Sequence, residues 1–182
     1  MPRLSADLLA AAQVVAHQHR KQKRKGAERV PYVNHVLQVA DLLARVGKVD
    51  DRDVLLAAIL HDTIEDTGTK RAELARRFGR RVASLVEEVS DDKSLPKQKR
   101  KELQIEHAPQ LSRGAKLVKL GDKISNVAEV GAAPAKGWSQ ERRRRYVEWS
   151  RSVVAGCRGV NAALEREFDR VARRALQQIA KT

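Results

Sequence analysis

Val54 to Leu60 are seven apolar residues in succession, and the next six positions hold a histidine and three acids: His61, Asp62, Glu65 and Asp66. A helix that is apolar all round needs other helices on every side, so this stretch predicts a central helix that ends at the edge of the core. At helical spacing His61 stands over Glu65 and Asp62 over Asp66. Carboxylates beside a dry helix are costly unless a cation, a partner or water satisfies them. Two residues on other predicted helices share this inward register. His35 has Val39 and Leu42 at its i+4 and i+7 positions, and Asp122 lies four after Val118 and seven after Ala115. Two imidazoles and two carboxylates suit Mn²⁺, Fe²⁺ or Zn²⁺, and spacing does not choose among them. Each residue alone is unremarkable, because one core hydrogen bond satisfies an interior histidine. Their coincidence carries the reading.

The elements that must position these residues all read as helices. Ser5 suits an N-cap for a first helix with Leu8, Ala12 and Val15 on one face. A basic run, Arg20 to Lys25, ends at Gly26. Pro31 suits the first turn of the next helix, where Val36, Val39, Ala40 and Leu43 repeat until Gly47. The central helix starts at Asp50 or Asp51, and Thr67-Gly68 ends it or the turn that follows. Thr69 is a cap for Lys70 to Phe78, and Gly79 is its stop. Val82, Leu85, Val86 and Val89 mark another helix, Asp91 to Pro96 a loop, and Pro96 to His107 a helix closed by Pro109. Ser112 to Val130 carries Asp122, and Gly131 to Gly137 reads as a surface loop. From Ser139 the stripe Val153, Cys157, Val160, Leu164, Phe168 and Val171 is helical, with Gly156 and Gly159 able to divide it. The expectation is an all-α fold, a single domain over residues 1–182 of roughly eight to ten helices.

Composition sets the bounds. A chain of 182 residues can bury one sizeable core and leaves little room for a second. Aromatics are 3% of the residues, so Leu, Val and Ala must build that core. The 37 basic and 23 acidic residues give a formal charge of +14, which attracts nucleic acid, a membrane surface or a phosphate-rich small molecule. A nucleic-acid-binding domain would bind with steep salt dependence. No helix-turn-helix or zinc signature supports it, and it leaves the four inward residues without a task. Cys157 has no partner for a disulfide, and no signal-peptide run or membrane-length apolar stretch is present, so a cytoplasmic protein is expected.

An isolated His, a His-Asp pair and a distant Asp, in that order on helices, resemble the HD superfamily of metal-dependent phosphohydrolases. Longer stretches are similar to the hydrolase domain of the RelA/SpoT enzymes: Pro31 to His35, Leu60 to Thr67, Val86 to Pro96, Gly114 to Asn126, Gly137-Trp-Ser and Tyr146 to Trp149. The stand-alone small alarmone hydrolases, the metazoan SpoT homologue among them, match best. The resemblance implies an HD-type helical bundle that hydrolyses guanosine tetra- and pentaphosphate at the 3′ position, releases pyrophosphate and uses Mn²⁺. Carried over residue by residue, it implies His35, His61, Asp62 and Asp122 as metal ligands, and Glu65 and Asp66 as the pair that positions and activates water. Arg24, Lys25, Lys97, Asn126, Arg142 and Tyr146 would line the substrate pocket, although Arg142 to Arg145 cannot all face one ligand. His17, His19 and His107 are expected to be surface or structural. Two departures stand out. Val36 replaces the usual proline, and Gly121 replaces the usual alanine before Asp122, at a cost of about 1 kcal/mol in helix propensity. Adenosine alarmones, or the 2′-phosphate of NADPH, suit the same cationic pocket, and no motif separates guanine from adenine. Larger relatives continue where this chain ends, so a hydrolase without a synthetase is expected.

Overall fold

The computed structural model describes residues 4–181. Among them are ten α-helices: α1 (Leu4–Gln18), α2 (Val33–Asp41), α3 (Arg52–Leu60), α4 (Thr63–Thr67), α5 (Arg71–Phe78), α6 (Arg80–Val89), α7 (Lys97–His107), α8 (Arg113–Ala132), α9 (Gln140–Ala155) and α10 (Ala162–Ala180). The described residues form no strand, only one antiparallel bridge between Lys23 and Pro31. The all-α expectation is borne out. None of the described helices is long and apolar enough to cross a membrane.

Every residue from Val54 to Leu60 is buried, and α1, α2, α6 and α8 close around α3 on its different sides. Asp51 starts α3, its carboxylate accepting from the backbone amides of Asp53 and Val54 at 3.0 and 3.3 Å. Of the two ends the sequence allows, Thr67-Gly68 closes the segment that follows and not α3 itself. α3 ends at Leu60, and His61-Asp62 form a turn before α4. Side chains take the carbonyls that would continue the ladder: His61 Nδ1 lies 2.9 Å from the Ala58 oxygen, and the Thr63 hydroxyl donates to the Leu60 oxygen at 2.6 Å.

Other boundaries also differ. Ser5 lies within α1, and Pro31 sits two residues ahead of α2 in the bridge. Thr69 does not cap α5. Its hydroxyl pairs with that of Thr67 at 2.8 Å, leaving Lys70 at the N-cap without a side-chain bond. A wide π-helical turn, Leu42–Val46, extends α2, and α8 continues through Ala132 into the predicted loop. Gly156 and Gly159 do divide the last stripe, and Asn161 starts α10 by accepting from the amides of Ala163 and Leu164.

One glycine fixes the site's dimensions. A Cβ on Gly121 would stand 2.5 Å from Leu43 Cδ1 and 3.1 Å from Val39 Cγ1, so its absence lets α2 lie close against α8. Gly121 therefore does more than loosen its helix: it sets the spacing between the helices that carry His35 and Asp122. Gly121→Ala adds helix propensity worth about 1 kcal/mol and overpacks this contact at a cost of about 1–3 kcal/mol. The net expectation is a lower melting temperature by thermal denaturation, and an unchanged or raised value would show that Leu43 yields freely.

Candidate active site

Three elements bring the four predicted ligands together. α2 supplies His35, the α3–α4 turn supplies His61 and Asp62, and α8 supplies Asp122. His61 Nε2 lies 2.9 Å from Asp62 Oδ2 and 3.8 Å from Asp122 Oδ1. His35 Nε2 lies 3.2 Å from Asp122 Oδ1 and 3.8 Å from Asp62 Oδ2. Donor atoms of His35, His61 and Asp62 all fall within 4.8 Å of one another. Such separations suit neighbouring ligands on one ion with bonds of about 2.0–2.2 Å.

A backbone carbonyl only accepts, so His61 Nδ1 must donate to Ala58, which leaves the lone pair of a neutral ring on Nε2. That buried Nε2 has no hydrogen-bond partner among the described residues. A lone pair facing two carboxylates calls for a cation, and a proton is the lesser substitute. Burial opposes a charged His61, yet Asp62 and Asp122 hold its pKa up at about 10. Burial likewise opposes a charged Asp62, and the His61 charge still keeps it well below the usual carboxylate range. The donor set fits a divalent metal. Tyr32, on the segment before α2, donates to Asp62 Oδ2 at 2.5 Å and fixes that carboxylate from outside the cluster.

Glu65 and Asp66 on α4 face the same cavity with different neighbours. Glu65 accepts from the Asp91 amide at 3.1 Å, and burial pushes its pKa up. Asp66 accepts from Gln22 Nε2 at 2.7 Å and forms an ion pair with Lys93. Asp66 is held on two sides, and Glu65 is the acid moved toward neutrality.

The cavity holds about 520 Å³. His61, Asp62, Glu65, Asp66, Asp122, Arg24, Lys25, Lys97, Asn126, Arg142 and Tyr146 all line it, whereas His35 stands behind the wall at 2% exposure. The six pocket residues divide by role. Arg24 is buried and engaged: its guanidinium meets Glu129 at 3.0 and 2.6 Å and Asn126 Oδ1 at 3.0 Å, and Asn126 Nδ2 donates to Asp122 Oδ1 at 2.6 Å. Lys25, Lys97 and Arg142 are exposed at the cavity. Arg142 lies 4.4 Å from the Trp138 ring, and Tyr146 sits between Trp138 and Trp149 at centroid distances of 5.7 and 5.3 Å. The arginine run splits as its spacing requires, with Arg143 turned inward to the Val130 and Gly131 carbonyls.

Sequence reasoning missed several members of the site. Lys123, 3% exposed, places Nζ 3.1 Å from Asp122 Oδ2 and 4.5 Å from the Trp149 ring. Its position beside Asp122 was visible, but a lysine on a helix reads as solvated. Glu129, Gln22, Lys93 and Tyr32 carry no spacing signal, because their partners are distant in the chain. His19 is buried, stacked on Tyr32 at 5.1 Å, with Nδ1 2.7 Å from Gln22 Oε1, which makes it structural; His17 and His107 are exposed.

Comparison with known proteins places this arrangement. An HD domain profile matches residues 11–153, a span that includes all four clustered residues. The chain belongs to the HD-domain family. Within this family it is 48% identical over 165 residues, 91% of this chain and 92% of the relative, to guanosine-3′,5′-bis(diphosphate) 3′-pyrophosphohydrolase MESH1 of Xenopus tropicalis. The human protein of the same name is 49% identical over 88% of this chain and 90% of its own. A solved structure of a metazoan orthologue of SpoT that hydrolyses ppGpp superposes with a TM-score of 0.90 at 45% identity, covering 94% of this chain and 97% of that one. The family resemblance carried by the motifs is borne out.

Lys119, buried on the same HD-domain wall, donates to the Val89 carbonyl at 2.9 Å, and burial together with Lys123 pushes its pKa down. The unfolded chain therefore holds that proton more tightly, and stability rises with pH toward the ordinary lysine value of about 10.4. In Lys119→Met this gain is absent. The melting-temperature difference between the two proteins should shift in favour of the wild type as the pH rises toward that value, and a pH-independent difference contradicts the assignment.

Proposed function

We propose that the chain is a metal-dependent hydrolase of guanosine 3′,5′-bis(diphosphate), releasing pyrophosphate from the 3′ position and leaving GDP, or GTP from the pentaphosphate. The observation that carries this reading is the convergence of two imidazoles and two carboxylates in one cluster, with the Glu65–Asp66 pair beside it, at the wall of one basic cavity. The chain is also about half identical, over nearly its whole length, to relatives named for this reaction. The whole chain would act as one hydrolase domain.

His35, His61, Asp62 and Asp122 would hold the ion. Their mixed nitrogen and oxygen donors suit a borderline divalent ion, and the family resemblance makes Mn²⁺ the ion to test. When bound, it supplies Lewis acidity toward phosphate oxygens and lowers the pKa of water. Glu65, raised toward neutrality by burial, takes the proton of the attacking water. Asp66, fixed by Gln22 and Lys93, orients that water. The bond broken joins phosphorus to the ribose 3′-oxygen, so the water's hydroxyl ends on pyrophosphate and the 3′-hydroxyl is restored. Lys25, Lys97 and Arg142 meet phosphate oxygens, and the Trp138–Tyr146 wall offers a stacking face to the base. A stacking face accepts either purine. A cytoplasmic site of action accords with the free, buried Cys157.

The test is pyrophosphate release from guanosine tetraphosphate by metal-stripped protein with and without Mn²⁺, alongside adenosine analogues and NADPH. Glu65→Gln should lower kcat by about 10²–10⁴-fold while binding Mn²⁺ normally, whereas Asp122→Ala should lose both. Inertness toward every nucleotide overturns the proposal. Metal binding should also displace a proton from His61, whose pKa Asp62 and Asp122 raise against burial. Affinity should then rise with pH through the neutral range, with protons released on binding. Calorimetry in buffers of different ionisation enthalpy measures this, and an affinity flat with pH contradicts it.

A further inference from the structure

His35 is held differently from His61. Among the described residues no backbone carbonyl meets its Nδ1; instead Nδ1 lies 2.9 Å from the hydroxyl of Ser125, a buried residue three positions after Asp122 on α8. The Ser125 hydroxyl lies 2.7 Å from Gln38 Oε1, three positions after His35 on α2. A serine hydroxyl has one proton to give, and the Gln38 oxygen only accepts. That proton therefore goes to Gln38, and Ser125 accepts from Nδ1–H. The lone pair is left on Nε2, which faces Asp122 Oδ1 at 3.2 Å. Without this relay, the other tautomer would place its proton between Nε2 and Asp122 and occupy the atom a metal needs.

We propose that Ser125 and Gln38 are positioning residues that hold His35 as its Nδ1–H tautomer and present Nε2 to the metal. This rests on His35 being a ligand, as proposed above. Polarity runs through the Gln38 amide. An acceptor at position 38 maintains the tautomer, an apolar residue releases it, and a donor reverses it, because a donor to Ser125 turns the hydroxyl proton back onto Nδ1. Gln38 is exposed beside a groove between α2, α8 and α10, so it can be exchanged without opening the core.

The test measures the Mn²⁺ dissociation constant, from the spin-resonance signal of free ion, alongside the thermal unfolding midpoint and kcat at saturating Mn²⁺. Ser125→Ala should bind about 10- to 100-fold more weakly, with kcat recovering at saturating metal. Gln38→Glu should match the wild type, Gln38→Leu should bind more weakly, and Gln38→Lys should be the weakest of the three. A general packing role predicts no such ordering and would move the midpoint in step with affinity. Wild-type affinity in all four variants, or loss in Gln38→Glu equal to that in Gln38→Lys, overturns the proposal. A wild-type protein that binds no Mn²⁺ would instead remove the metal reading beneath it.

Discussion

The structure depends on one electrostatic conflict. Two imidazole nitrogens and two carboxylates face each other at 2.9–3.8 Å, at the end of a helix buried on all sides. Such a group is stable only with positive charge at its centre. Asp62 and Asp122 raise the His61 pKa against the opposing effect of burial, which is the same demand expressed toward the smallest cation. The rest of the molecule can be read as the means of enforcing that conflict. The apolar stretch Val54 to Leu60 anchors one side, and the α2–α8 contact at Gly121 draws in the other.

The break after Leu60 follows from the same demand. A continuous helix would keep Asp62 on the cylinder of α3. With the Ala58 and Leu60 carbonyls taken by side chains, the chain turns at Asp62, whose backbone adopts φ −97° and ψ 0°. That bridge-region geometry is sparsely populated and frequent at functional sites. α4 then restarts with Asp66 bonded to the Asp62 carbonyl at 2.8 Å, which carries Glu65 and Asp66 to the cavity beside the cluster. One local rearrangement thus places both the His-Asp cluster and the acids next to it.

This also explains what the sequence made legible. Hydrophobic period is a property of many residues at once, so the helices, the enclosed α3 and the inward register of His35 and Asp122 were readable. Helix ends depend on single side-chain bonds, and two rival partners decide each one. Thr69 looks like a cap for α5 until Thr67 is seen to take its hydroxyl, and Ser5 reads as a cap although α1 already includes it. Partners remote in sequence were the least legible. Glu129 lies 105 residues from Arg24, and nothing in either local pattern announces their pairing.

That pairing separates two kinds of basic residue. Arg24, Lys119 and Lys123 are buried and committed, to Glu129, to the Val89 carbonyl and to Asp122. Their charges are largely spent on internal acceptors, and they shape the wall. Lys25, Lys97 and Arg142 stand exposed at the same cavity, and the mutual repulsion of Lys97 with Arg142 and Lys25 adds to burial in pushing the Lys97 pKa down. A polyanion entering there relieves that repulsion as it binds, so part of its attraction is the strain of like charges already gathered. The overall charge of +14 says only that polyanions are attracted. The uneven neutralisation around the cavity concentrates the free positive charge on Lys25, Lys97 and Arg142, so a polyanion meets its strongest attraction there.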